Sequence, residues 1–241
     1  TGLLSASKNY LTKAVLDLYN RYDVSGGEAA TTTPLYPSLH DLAQALAAED
    51  INFMRKTSNY RDTILNRLQA MTMTADTMFA CSRGYPLPEL LQRNVVFEFD
   101  GLGRDTQNMV MELLFAAVFE YRLANSDRNN GLRHVFFLDE GKRVFSVYKE
   151  RQDAAGLPEI DDLTAKMREF GEGLVVADQE PKKLTASIKA NTYATVLMQL
   201  GSYDQFQDVA DTLGLTSRQR EVARQAGVGE AVVQVGTRGP V

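Results

Sequence analysis

The sequence predicts an α/β fold: a largely parallel sheet flanked by helices, preceded by a helical portion. Three observations carry this expectation. From residue 91 onward, short apolar runs alternate with segments of helical spacing. Those runs are almost continuously apolar, the pattern of strands covered on both faces. Residues 1–90, in contrast, show helical periodicity and no alternation of strand with helix. The chain has 241 residues, 44% of them hydrophobic, which is enough for one sizeable core.

In the first portion, "SASKNYLTKAVLDLYNRY" (5–22) sets Leu11, Val15, Leu18 and Tyr22 at helical spacing. Residues 23–37 hold Gly26-Gly27, three threonines, Pro34 and Pro37, and read as a surface loop. Ser38 then stands where it can cap the helix of "SLHDLAQALAAED", and "SNYRDTILNRLQAMT" (58–72) forms a further amphipathic helix. In the second portion, five strands are expected: "NVVFEF" (94–99), "HVFFL" (134–138), "GLVVA" (173–177), "ATVLMQL" (194–200) and "GEAVVQV" (229–235). Helices are expected over 105–123, 158–170, 203–213 and 217–226, with a short helix or loop in "PKKLTASIKAN".

Charge and composition narrow the function classes. The net charge is −5 and the pI about 5.2, so there is no general basic surface to coat nucleic acid. Any DNA contact falls to local basic loops, for which Lys142-Arg143 and Lys182-Lys183 are the candidates. One cysteine, Cys81, and two histidines exclude an internal disulfide framework and a Cys/His zinc cluster. No apolar run approaches the ~20 residues that span a bilayer. The chain begins at Thr1 and ends just after an expected strand, which suggests part of a longer polypeptide.

The chemistry is expected at the carboxyl ends of the strands, where open parallel sheets bind ligands. Three successive strands end in Asp100, in Asp139-Glu140 and in Asp178-Gln179. Polar residues are common where strands surface, so each alone is unremarkable; together they would form one polar rim. Adjacent carboxylates repel and need a compensating charge. An apolar strand closing in Asp-Glu matches the Walker B pattern, in which Asp139 would hold Mg²⁺ and Glu140 would polarise the water attacking a γ-phosphate. Gln179, a donor and an acceptor at once, could touch phosphate and water together. Arg168, at the end of a helix, either interacts favourably with that helix terminus or acts as an arginine finger in a neighbouring subunit. The glycines of "DGLGRDTQN" (100–108) lack a third glycine and any Gly-Lys-Ser/Thr, and read as a tight turn with Asp105 near a helix start.

The order of these pieces resembles the FtsK/HerA superfamily of ring ATPases, in particular HerA and the VirB/TraC conjugation-type transfer ATPases. The resemblance is carried by "NVVFEFDGLGRDTQNMVMELLFAAVFEYR", "HVFFLDEGKRVFSVYKE", the run from "MREFGEGLVVADQEP" to "DTLGL", and "VGEAVVQV", together covering about residues 90–236. It implies a RecA-like core over 91–241, with residues 1–90 a helical portion or insertion of the same ATPase domain. It implies ATP and Mg²⁺, with Asp139 the metal and nucleotide ligand, Glu140 and Gln179 catalytic, and Arg168 acting in trans. It further implies a homo-oligomer, a hexameric ring, in the cytoplasm or membrane-associated through partners. The ring would move DNA or serve conjugative or type IV secretion, with a nuclease or secretion-apparatus partner. The chain departs from the family in having no G-x-x-x-x-G-K-[ST], which the resemblance puts upstream of Thr1, and in carrying Glu180 after the motif glutamine. A reading from another class is a non-hydrolysing scaffold of the same fold; a third is an unrelated doubly wound domain.

Overall fold

A computed structural model describes residues 5–24, 35–50, 56–73, 76–125, 128, 131–146 and 159–236. Residues 25–34 of the expected loop and the terminal 237–241 lie outside the described residues. The chain divides into two compact units, Thr1–Val110 and Met111–Val241.

The first unit is helical. Helices α1 (Ser5–Arg21), α2 (Leu39–Ala47) and α3 (Lys56–Thr72) bury Leu18, Leu42, Leu46, Ile64 and Leu68 in one cluster. The cap at Ser38 is as expected, and it is reciprocal: its hydroxyl accepts from the Asp41 N–H while the Asp41 carboxylate accepts from the Ser38 N–H at 2.7 Å. The Ser38 hydroxyl also donates to the Asp41 carboxylate at 2.6 Å, and this bond first, then that of the Ser38 N–H, holds the Asp41 carboxyl below the usual aspartate range. Short helices α4 (Asp76–Phe79) and α5 (Leu87–Leu90) follow.

Residues 94–99 are not a strand. "NVVFEF" has the right composition, yet Val96 is 85% exposed and no neighbouring strand among the described residues takes its backbone groups. β-Propensity reports how a side chain fits a pleated, half-buried surface, and without a paired surface it does not make a strand. The expected tight turn is present: Gly101 takes φ 81°, and the Gln107 amide donates to the Phe99 and Leu102 carbonyls. Helix α6 (Arg104–Ala124) starts there with Asp105 in its first turn.

The second unit carries the α/β fold. Strand β1 (His134–Asp139) pairs in parallel with β2 (Glu172–Ala177), in register from His134↔Glu172 to Asp139↔Ala177. Helix α7 (Glu159–Met167) lies between them in the chain. Helix α6 packs on β1 through Phe115 and Phe136, whose rings are 4.6 Å apart. After β2 come α8 (Ala186–Asn191), β3 (Ala194–Met198), α9 (Tyr203–Thr212), α10 (Ser217–Gln225) and β4 (Ala231–Val235). Strands β3 and β4 pair antiparallel and bury Leu197 and Val232 against α9 and α10. The α/β class with flanking helices and a parallel pair is as expected, whereas among the described residues the strands form two separate two-stranded sheets, one parallel and one antiparallel, in place of one largely parallel sheet.

Two glycines set the geometry of the parallel pair. A Cβ on Gly141, in the turn after β1, would sit 2.1 Å from Val176 Cγ1, so this turn presses on β2. Gly171 has φ 79°, and a Cβ there would lie 2.2 Å from the Gly131 carbonyl oxygen. It ends the helical stretch before β2, and its own carbonyl accepts from the Arg133 N–H at 2.8 Å, which aligns the start of β1.

Candidate functional site at the strand ends

Register decides which residues meet. Because Asp139 stands opposite Ala177, the segments 139–143 and 178–183 leave the sheet side by side. Asp139 and Glu140 therefore share one rim with Asp178, Gln179 and Glu180. Asp100 follows no strand, so the expected three-strand rim is a two-strand rim.

Asp139 is exposed, and its Oδ1 accepts the Glu140 N–H at 2.9 Å. Glu140 adopts the left-handed region, φ 54° and ψ 52°, which is uncommon for a residue with a side chain. Its carboxylate pairs with Arg143 in the same turn. The turn is anchored behind by Val144 and Phe145, both fully buried. Gln179 is exposed. Beside it, Glu180 pairs with Lys142 at 3.0 Å and with Lys183. Hydrogen bonds from Lys183 and then Lys142 hold the Glu180 carboxyl below the usual glutamate range, and the Glu180 bond raises the Lys142 ammonium above its own.

The rim thus supplies its own countercharge. The pairs Lys142-Arg143 and Lys182-Lys183, candidates for a DNA-facing loop, are each engaged with acids: Lys142 with Asp178 and Glu180, Arg143 with Glu140, Lys182 with Asp204, and Lys183 with Glu180. Glu140, Asp178 and Glu180 thus have cationic partners within the chain.

Arg168 lies elsewhere. It opens the short 3₁₀ turn Arg168–Phe170 that precedes β2. Five strand steps separate Glu172 from Ala177, roughly 16 Å at 3.3 Å each. The arginine is therefore at the opposite end of the strand pair from Asp139, Glu140 and Gln179 and cannot reach the rim of its own chain.

At that opposite end is a cluster the residue types did not disclose. The Glu172 side chain is 1% exposed; it accepts from Arg122 Nε at 2.7 Å and stands 2.8 Å from His134 Nδ1. The available signals were a glutamate opening an apolar strand and a histidine opening its neighbour.

A Mg²⁺ ion takes one or two carboxylates together with substrate phosphates and keeps several waters. Exposed Asp139, with one oxygen turned to its own loop, fits that role. No group of three or more potential metal-binding side chains converges among the described residues. A Mg²⁺ ion held by Asp139 would therefore need the rest of its ligands from water or a bound molecule.

No family model and no characterised protein matches the sequence. Among solved structures, VirB4 of Thermoanaerobacter pseudethanolicus matches with a TM-score of 0.65 and 14% identity, over 99% of this chain and 63% of that one. The chain has the fold of this VirB4 and spans less than two thirds of its length. The likeness supports the VirB/TraC side of the resemblance as a relationship of fold. No helix among the described residues is long and apolar enough to cross a membrane.

Proposed function

We propose that this chain is part of a VirB4/TraC-type ATPase, and that the β1/β2 rim is the Walker B half of its nucleotide site. The observation that carries the reading is the parallel register that brings Asp139-Glu140 and Gln179 out on adjacent strand ends, in a chain with the fold of a VirB4. In this reading Asp139 is the ligand for Mg²⁺, whose charge, when bound, neutralises that developing on the transferred phosphate. Glu140 orients the attacking water and draws on its proton, which requires it to exchange Arg143 for that water. Gln179 donates to a phosphate oxygen while its carbonyl accepts from the water. The sequence holds no G-x-x-x-x-G-K-[ST] cradle for phosphates, so the chain by itself is expected to bind Mg-ATP poorly. Arg168, far from its own rim, acts only on a neighbour, as in a hexameric ring that moves DNA or serves conjugative or type IV secretion.

The test uses the full-length gene product. Glu140→Gln should abolish turnover and leave nucleotide binding largely intact, while Asp139→Ala should weaken Mg²⁺-dependent binding. Equal loss of binding in both would deny the two acids these separate roles. Arg168→Ala should lower hydrolysis steeply, with partial recovery in mixed rings containing excess Glu140→Gln subunits. A second reading, a non-hydrolysing scaffold, is favoured by the Arg143–Glu140 pair, which occupies the catalytic carboxylate; absence of any hydrolysis by the full-length protein would select it.

A further inference from the structure

We propose that Asp178 is the positioning residue that locks the loop bearing Glu140 to the loop bearing Gln179. Its side chain is 2% exposed, although it follows a strand at the open rim. One oxygen, Oδ2, accepts the Lys142 N–H at 2.7 Å, from the turn after β1. The other, Oδ1, accepts the Glu180 N–H at 2.7 Å, from the turn after β2. The Lys142 ammonium, 3.6 Å from Oδ1, offsets the buried charge. One carboxylate therefore spans the two loops, with Glu140 two residues from one anchor and Gln179 next to the other.

The chemistry of the side chain is specific. Both anchors are donors, so both oxygens must accept. Asn offers one acceptor and would turn an NH₂ toward the second N–H, which leaves two donors facing each other. The Lys142–Glu180 ion pair at 3.0 Å also joins the two turns, but through side chains that water reaches; Gly141 touches β2 through Val176, which fixes the height of the turn but supplies no hydrogen bond across the rim. A catalytic water must meet Glu140 and Gln179 at once, and a displacement of about 1 Å can cost roughly 100-fold in rate.

The catalytic part of the inference rests on the proposed ATPase reading; the clamp itself does not. The full-length protein and its Asp178→Asn and Asp178→Glu variants would be compared by amide hydrogen exchange and by hydrolysis kinetics. Asp178→Asn, close to isosteric, should speed exchange at the Lys142 and Glu180 amides together by roughly 10-fold or more, with β1 and β2 as slow as before. Asp178→Glu keeps two acceptors and should restore part of the protection. Faster exchange at Glu180 alone, or across the whole unit, would overturn the clamp. In hydrolysis, kcat of Asp178→Asn should fall by roughly 10- to 100-fold with KM for ATP little changed, and Asp178→Glu should recover part of it. Normal kcat in a protein whose Glu140→Gln variant is dead would overturn the positioning role. A wild-type protein without hydrolysis, but with the paired change in exchange, would refute the ATPase reading and uphold the clamp.

Discussion

At the amino-terminal end of the β1/β2 pair, one carboxylate is buried and saturated: Glu172 is held between Arg122 and His134 and meets almost no water. At the carboxyl-terminal end, Asp139 and Gln179 are exposed, the Glu140 and Glu180 side chains are partly so, and the Asp178 side chain is enclosed. The same two strands thus end in opposite electrostatic regimes. A buried ion pair has exchanged hydration for fixed partners, and removal of one partner strands the other. An exposed pair is screened and exchanges its partner with water at little cost. The first arrangement suits a structural joint; the second leaves carboxylates available for a ligand.

The largest effect should come from the buried end. Glu172→Gln removes the buried negative charge that faces Arg122 and His134, and should destabilise the folded protein by about 3–5 kcal/mol, read as a shift in the urea midpoint. A loss below about 1 kcal/mol would mean that water reaches this end too, and the contrast between the ends would fail.

Gly141→Ala tests the other end by packing rather than charge. The added methyl would lie 2.1 Å from Val176 Cγ1, and overpacking of this kind costs about 1–3 kcal/mol. Val176→Ala removes the obstructing atom, so the double variant should be more stable than the sum of the two single losses predicts. Strict additivity would show that the turn does not press on β2.

How much of this was legible follows from the range of each interaction. The register of α1, the Ser38 cap, β1, β2 and the α9–α10 pair rest on spacing within one segment, and the sequence discloses them. Asp139, Glu140 and Gln179 are found at adjacent strand ends because strand ends are locally marked and parallel strands put like ends together. The strand expected at 94–99 fails for a non-local reason: a partner is needed, and among the described residues none pairs with it, which leaves Val96 85% exposed. The antiparallel β3/β4 pairing is equally invisible to periodicity, which reports faces and not neighbours. The links of Glu172 to Arg122 and His134, and of Asp178 to Lys142, span 50, 38 and 36 residues, and no window along the chain contains both partners. Arg168 shows the converse. Its residue type fits a finger, but its placement before β2 denies it to its own rim.

The smallest expected effect sharpens the comparison because it depends on pH. Lys183 and Lys142 lower the folded-state pKa of Glu180 below its unfolded value. Linkage then gives the sign: the folded state binds this proton less readily, so the contribution is fully present above the ordinary glutamate value of about 4.3 and disappears as pH falls through the lower folded value. Thermal melts of wild type and Glu180→Gln should therefore differ by a small, constant amount from about pH 5 to 7 and converge as the pH falls below the ordinary glutamate range. The gap at neutral pH should also shrink in high salt, because the pair lies in water within reach of screening ions. A gap that persists at low pH, or ignores salt, would show that Glu180 acts through packing, and the open end would then resemble the buried one more closely than its exposure implies.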